Sequence, residues 1–146
     1  MYTNYWRRTD EPFTKEFVND VLAIIASCFQ KRIRICGGNG EGIPEINENT
    51  IWFNGCKEFE TSYDSFMLTS NPEDAVFSFC KTGRMPYDYA VKEVLESALR
   101  HNIISRWSAD GDCEQQTDYE YVSDNCDYNI SKVNAYYGDD DVTSLF

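Results

Sequence analysis

The chain predicts an α+β domain: a mostly antiparallel sheet with two amphipathic helices packed on one of its faces. Three observations carry this. Two stretches, Phe13–Phe29 and Tyr87–Leu99, repeat apolar residues at the three-and-four spacing of a helix face. Between and after them lie short segments that alternate polar and apolar residues at the two-residue period of a strand. Gly-rich, Asn-Gly and Asp-Gly sequences punctuate those segments as hairpin-connected strands require.

The first helix is expected over Phe13–Phe29, where Phe13, Phe17, Val21, Ile24 or Ile25 and Cys28 share one face. Asp10 is expected to cap it, and Pro12 suits a first turn that needs no amide donor. It should stop near Gln30. Arg32–Cys36 then alternates like a half-buried strand, and Gly37-Gly38-Asn39-Gly40-Glu41-Gly42 marks a reversal through residues tolerant of positive φ. Thr50–Gly55 reads as a second strand ending in an Asn-Gly turn. Glu58–Leu68, with Phe59, Thr61, Tyr63 and Ser65 alternating, reads as a third. Asn71-Pro72-Glu73-Asp74 is a turn ahead of the short strand Val76–Cys80.

Lys81-Thr82-Gly83-Arg84 is a basic bend leading to Pro86, which suits the first turn of the second helix. The apolar stripe of that helix is Tyr87, Ala90 or Val91, Val94, Leu95, Ala98 and Leu99. Arg100 and His101 sit near its negative end, and Asn102 can close it in a left-handed conformation. Ile103–Trp107 is a further strand, ending at Asp110-Gly111. The expected organisation is a core over 1–111, with an acidic, Tyr-rich extension over 112–146 packed on it.

A chain of 146 residues is long enough to bury an independent core. The opening MYTNYWRRTDEP has no apolar h-region, so the six cysteines are expected to be reduced rather than a disulfide framework. Cys28 and Cys80 fall where small buried hydrophobes belong. The longest apolar run, Val21–Ala26, is too short to span a bilayer. The expectation is a cytoplasmic protein without a membrane partner.

Charge is distributed unevenly. Residues 110–146 hold ten acids against Lys132 alone, which is −9 of the −12 total, while residues 1–109 hold fifteen acids against twelve bases. Such a carboxylate field repels nucleic acid directly and attracts proteins with basic surfaces. Tyrosines within the same segment offer contact area of the kind enriched at interfaces. The candidate partner-binding residues are therefore Asp112, Glu114, Asp118, Tyr119, Glu120, Tyr121, Asp124, Asp127, Tyr128, Tyr136, Tyr137, Asp139, Asp140 and Asp141. The expected partner class is a basic protein, such as a nuclease.

Catalytic and cofactor patterns are weak. Gly38-x-Gly40-x-Gly42 is followed by Ile43-Pro44-Glu45-Ile46-Asn47, which opens no helix onto a phosphate, so a plain loop is favoured. His101 is the only imidazole and falls at a helix end. Asp110-Gly-Asp112-Cys-Glu114 starts like a calcium loop, but Gln115 and Tyr121 stand where glycine and a bidentate glutamate belong. No Cys-x-x-Cys occurs, and no metal or cofactor is expected. The best candidate ligand site in the core is the bend, with Lys81, Thr82, Arg84, Tyr87 and Asp88 around a small phosphorylated ligand. Its competitor is purely structural: Pro86 and Asp88 start a helix while Lys81 and Arg84 pair with nearby acids.

Phe77-x-Phe79-Cys80-Lys81-Thr82-x-Arg84-x-Pro86-Tyr87-Asp88 lies between Phe53-Asn54-Gly55 and Ser108-Ala109-Asp110-Gly111. This string resembles one found in small uncharacterised bacteriophage-encoded proteins, over roughly residues 50–111. The resemblance implies phage origin and no mechanism. With the charge pattern, it leads to the expectation of a non-enzymatic inhibitor that mimics nucleic acid toward a host restriction, CRISPR-type or other nucleic-acid-binding protein. The alternative is a phage enzyme or nucleotide-sequestering protein that uses the bend.

Overall fold

The computed structural model describes residues 1–71 and 77–110. In chain order these form β1 (Thr3–Arg8), α1 (Lys15–Gln30), β2 (Glu45–Ile46), β3 (Thr50–Phe53), β4 (Phe66–Thr69), β5 (Ser78–Lys81), α2 (Asp88–Arg100) and β6 (Ile104–Ala109). The class is α+β. The strands divide into two three-stranded antiparallel sheets, ordered β5-β1-β6 and β2-β3-β4.

The sequence reading contains no strand at β1, yet β1 is the centre of the first sheet. Its inward face carries Asn4, Trp6 and Arg8, all buried, so polar residues occupy positions that an apolar alternation would require. Arg8 lies buried at the strand's end, donating to the carbonyls of Ile103 at 2.8 Å and Thr69 at 2.9 Å. It therefore ties the first sheet to the end of β4 in the second. Burial pulls its guanidinium down from the usual value, with Asp10 opposing.

Helix α1 starts later than expected. Thr14, not Asp10, is the cap, and its hydroxyl accepts from the Phe17 amide at 3.1 Å. Pro12 lies ahead of the helix. Beyond Gln30, Arg32 takes a positive φ of 62° and turns the chain away. Residues 32–36 then form no strand. Ile33 and Ile35 are buried by side-chain packing, and only Cys36 makes a bridge, to Asn54.

The third strand is also shorter and later than expected, because residues 57–60 turn and Glu60 adopts a φ of 58°. Asn54-Gly55 is not a two-residue hairpin turn. The Asn54 side-chain oxygen accepts from the amides of Gly55 and Tyr63, and its nitrogen donates to the carbonyls of Gly38 and Tyr63. Gly55 is required there, since a Cβ would lie 1.9 Å from the Thr61 carbonyl oxygen. Residues 45–46, which follow the glycine loop in a stretch that opens no helix, pair with β3. Asn102 closes α2 at a φ of 60°, as its position suggested.

The two helical stripes share one core. Phe17, Val21 and Ile25 meet Val91, Val94, Leu95 and Ala98, with Trp6, Cys80 and Ile104 from the first sheet and Ile51, Phe53, Phe66 and Leu68 from the second. Trp6 and Phe66 join the sheets with ring centroids 5.1 Å apart. Cys28, Cys36, Cys56 and Cys80 are buried free thiols. The expected extension over 112–146 lies outside the described residues.

Candidate functional site

The Lys81–Asp88 bend is held against the N-terminus. The amides of Thr82 and Gly83 both donate to the Tyr2 carbonyl at 3.1 Å. Gly83 and Arg84 follow in the left-handed region, each with a φ of 59°, a conformation that glycine adopts freely and arginine does not. This turn lays the Arg84 guanidinium over the Tyr2 ring, 4.1 Å from its centroid, and the Lys92 ammonium lies 4.5 Å from the same centroid.

Asp88 is the hub. One of its oxygens accepts from the Asn4 side-chain amide at 2.7 Å and from the Thr82 hydroxyl at 2.5 Å. The other pairs with Lys92, one helical turn further along α2. All four residues are buried. Tyr87 is buried beside them and donates its hydroxyl to the Asp64 carbonyl at 2.6 Å; burial is the main cause pushing that hydroxyl's pKa up. Cys80 is likewise pushed up to about 12, by burial first and then by Asp64 and Asp88. Of the five residues assigned to a ligand, the structure thus brings Thr82, Tyr87 and Asp88 together inside the protein, bonded to protein groups. Arg84 is half-buried on Tyr2, and Lys81 is exposed, its ammonium 5.9 Å from the Phe79 ring centroid. Chemically the cluster is a buried ion pair that fixes the start of α2 to β1, with the buried side-chain oxygen of Asn4 left without a hydrogen-bond partner among the described residues.

The outer face of β5-β1-β6 was not foreseen, because β1 was not. Tyr5 stands opposite Phe79, and its ring stacks with Phe77 at 6.1 Å. Phe77 and Phe79 are 55% and 54% exposed, high for phenylalanine beside a sheet. Arg7 stands opposite Arg106. A groove of about 260 Å³ at this sheet is lined by Tyr5, Trp6, Phe77, Arg106, Trp107 and Ser108.

His101 does not assemble a nucleophile relay. Its Nε2 lies 2.7 Å from an Asp20 oxygen that also accepts from the Ser97 hydroxyl at 3.3 Å. The carboxylate therefore stands between imidazole and hydroxyl, joining α1 to α2. The hydrogen bond to His101 is the largest influence holding Asp20 below the usual carboxylate range.

Asp110 belongs to the fold rather than to the extension. Its two oxygens accept from the Thr3 amide and the Tyr5 hydroxyl, each at 3.1 Å. The predicted partner-binding residues, Asp112 through Asp141, lie outside the described residues. Among the described residues no group of three or more His, Cys, Asp or Glu side chains could hold a metal ion, and no helix is long and apolar enough to cross a membrane. No protein-family model matches the chain, and no curated protein or solved structure is significantly similar to it.

Proposed function

We propose that this protein is a non-enzymatic acidic binding protein, a phage-encoded inhibitor that mimics nucleic acid toward a basic host protein such as a nuclease. One observation carries the reading. Thr82 and Asp88 of the bend are buried and bonded to each other and to Asn4 and Lys92, whereas residues 111–146 hold nine acids against the single Lys132. The largest uncompensated charge of the chain is therefore in that segment, and a groove built to hold phosphates with Lys and Arg is the surface that complements it. The interspersed tyrosines supply packing where sugars and bases would lie. A phosphorylated ligand at the bend is the weaker reading, because Thr82 and Asp88 are buried and Arg84 lies on Tyr2.

The test is capture of partners from host lysate at two ionic strengths, since the screening length falls from about 10 Å at 0.1 M salt to about 3 Å at 1 M. A basic protein retained at low salt and released at high salt is the expected result. The chain truncated after Gly111 should fold and lose that partner. Full-strength binding by the truncated chain would discard the mimic reading.

A further inference from the structure

We propose that Cys36 and Cys56 are a peroxide-reactive dithiol, in which Cys56 attacks the oxidant and Cys36 resolves it to a reversible disulfide. The backbone places them. Cys36 and Asn54 exchange both main-chain hydrogen bonds, at 2.9 and 3.0 Å, and the chain then bends at Gly55 to bring Cys56 back beside Cys36. The bend is rigid, because Gly55 is pressed against the Thr61 carbonyl and the Cys56 amide donates to the Thr61 hydroxyl at 3.0 Å. With Phe59 the two thiols form a small buried cluster separate from the main core. Their sulfurs share a hydrogen bond.

The surroundings of the two sulfurs differ. Arg34 Nε donates to Cys36 Sγ at 3.3 Å, and the backbone amides of Phe59 and Glu58 face Cys56. The Cys36 thiol, the nearby amides and Arg34 together hold Cys56 down at about 6 against its burial. Cys36 is pushed up, chiefly by donating its proton to Cys56 and by burial. The pair is thus set to lose its first proton from Cys56 and to hold the second on Cys36. The core thiol Cys80 shows the contrast, since burial holds it protonated.

The chemistry balances with hydrogen peroxide as oxidant. The Cys56 thiolate attacks one peroxide oxygen, the O–O bond breaks, and the departing hydroxide takes a proton to become water. Cys56 is left as a sulfenic acid. The Cys36 sulfur attacks it, the S–O bond breaks, and the Cys36 proton leaves with the hydroxide as a second water. Two thiols and one peroxide give one disulfide and two waters; a small thiol or dithiol reverses the step by exchange. At 0% and 3% exposure, Cys36 and Cys56 admit a small oxidant more readily than a bulky disulfide.

The test treats the full chain with hydrogen peroxide, blocks remaining thiols, and digests without reductant before mass spectrometry. A Cys36–Cys56 linked peptide, lighter by two hydrogens and lost on reduction, is expected. Alkylation of Cys56 should follow pH with a midpoint near 6. Cys36→Ser should abolish the linked peptide and leave a Cys56 sulfenic acid that dimedone traps. Oxidation falling first on Cys28, Cys80 or the cysteines beyond residue 110 would overturn the assignment, as would an alkylation midpoint near the ordinary 9.0. If Cys36→Ser does not fold, the wild-type peptide map and pH profile still decide. Glutathione disulfide in place of peroxide should give the same linkage more slowly; an equal or faster rate would remove the small-oxidant preference.

Discussion

The Asp88 cluster and the Cys36–Cys56 pair both hold polar groups out of water, and they do so in opposite ways. At Asp88 a carboxylate meets an ammonium and two neutral donors, so each charge has a partner. At the thiol pair two weak acids face each other across a single hydrogen bond, so one ionises at the expense of the other. The first arrangement confers rigidity on the junction of β1, β5 and α2. The second leaves a reactive sulfur. Burial by itself separates neither case; the pairing of acid with base, or of acid with acid, does.

The largest expected effect comes from breaking the first region. Asp88→Ala leaves the Lys92 ammonium buried without its carboxylate, which costs on the order of 3–5 kcal/mol. Lys92→Met should cost less than that, since Asp88 keeps its hydrogen bonds from Asn4 and Thr82. Urea unfolding of the two variants measures the difference, and equal losses would show that the ion pair is not what holds the cluster. Leu95→Ala is the apolar benchmark, expected to lose about 2–5 kcal/mol because Leu95 is fully buried between helices and sheets. A negligible change in its melting temperature would contradict the packing of α2.

The second region should respond to pH rather than to truncation. Cys56 ionises in the folded state from about 6, against about 9 when unfolded, so the unfolded chain binds the extra proton between those values. Stability from this group is complete above about 9 and is lost as pH falls toward about 6. Cys36 acts in the opposite sense, weakening the fold as pH rises beyond the ordinary thiol value. Cys56→Ser should flatten the rise between those limits, as measured by melting temperature across pH. An unchanged slope would mean that the two thiols do not share a proton. The smallest effect on folding is expected for neutralising Asp118, Glu120, Asp124 and Asp127 to Asn or Gln, within about 0.5 kcal/mol, since the change removes like charges from the most acidic stretch of the sequence. The same change should slow association with a basic partner far more than it speeds dissociation.

Local pattern was sufficient where the physics is local. The helical stripes identify Phe17, Val21, Ile25, Val91, Val94, Leu95 and Ala98 as one core, and the left-handed Asn102 and the buried Cys28 and Cys80 follow from position alone. The cap of α1 was misplaced by four residues because Asp10 and Thr14 are both good capping types, and only the backbone decides which one faces the Phe17 amide. β1 was hidden because its inward Asn4 and Arg8 find their partners at Asp88 and Ile103, separated by 84 and 95 residues. The bend was legible as a basic strand-to-helix turn, but its role was not. Whether Thr82 and Asp88 face solvent or each other depends on β1 lying beneath them.

The chain alone thus determined which residues are apolar in helical or strand period, and where its acidic charge is concentrated. Tertiary structure decided which polar groups meet. An apolar stripe buries itself against any complementary surface, so its position is readable without knowing the partner. A hydrogen bond needs one particular partner within about 3 Å, and residues as far apart in sequence as Asn4 and Asp88 acquire that proximity only when the fold closes, as Cys36 and Cys56 come into one cluster only then.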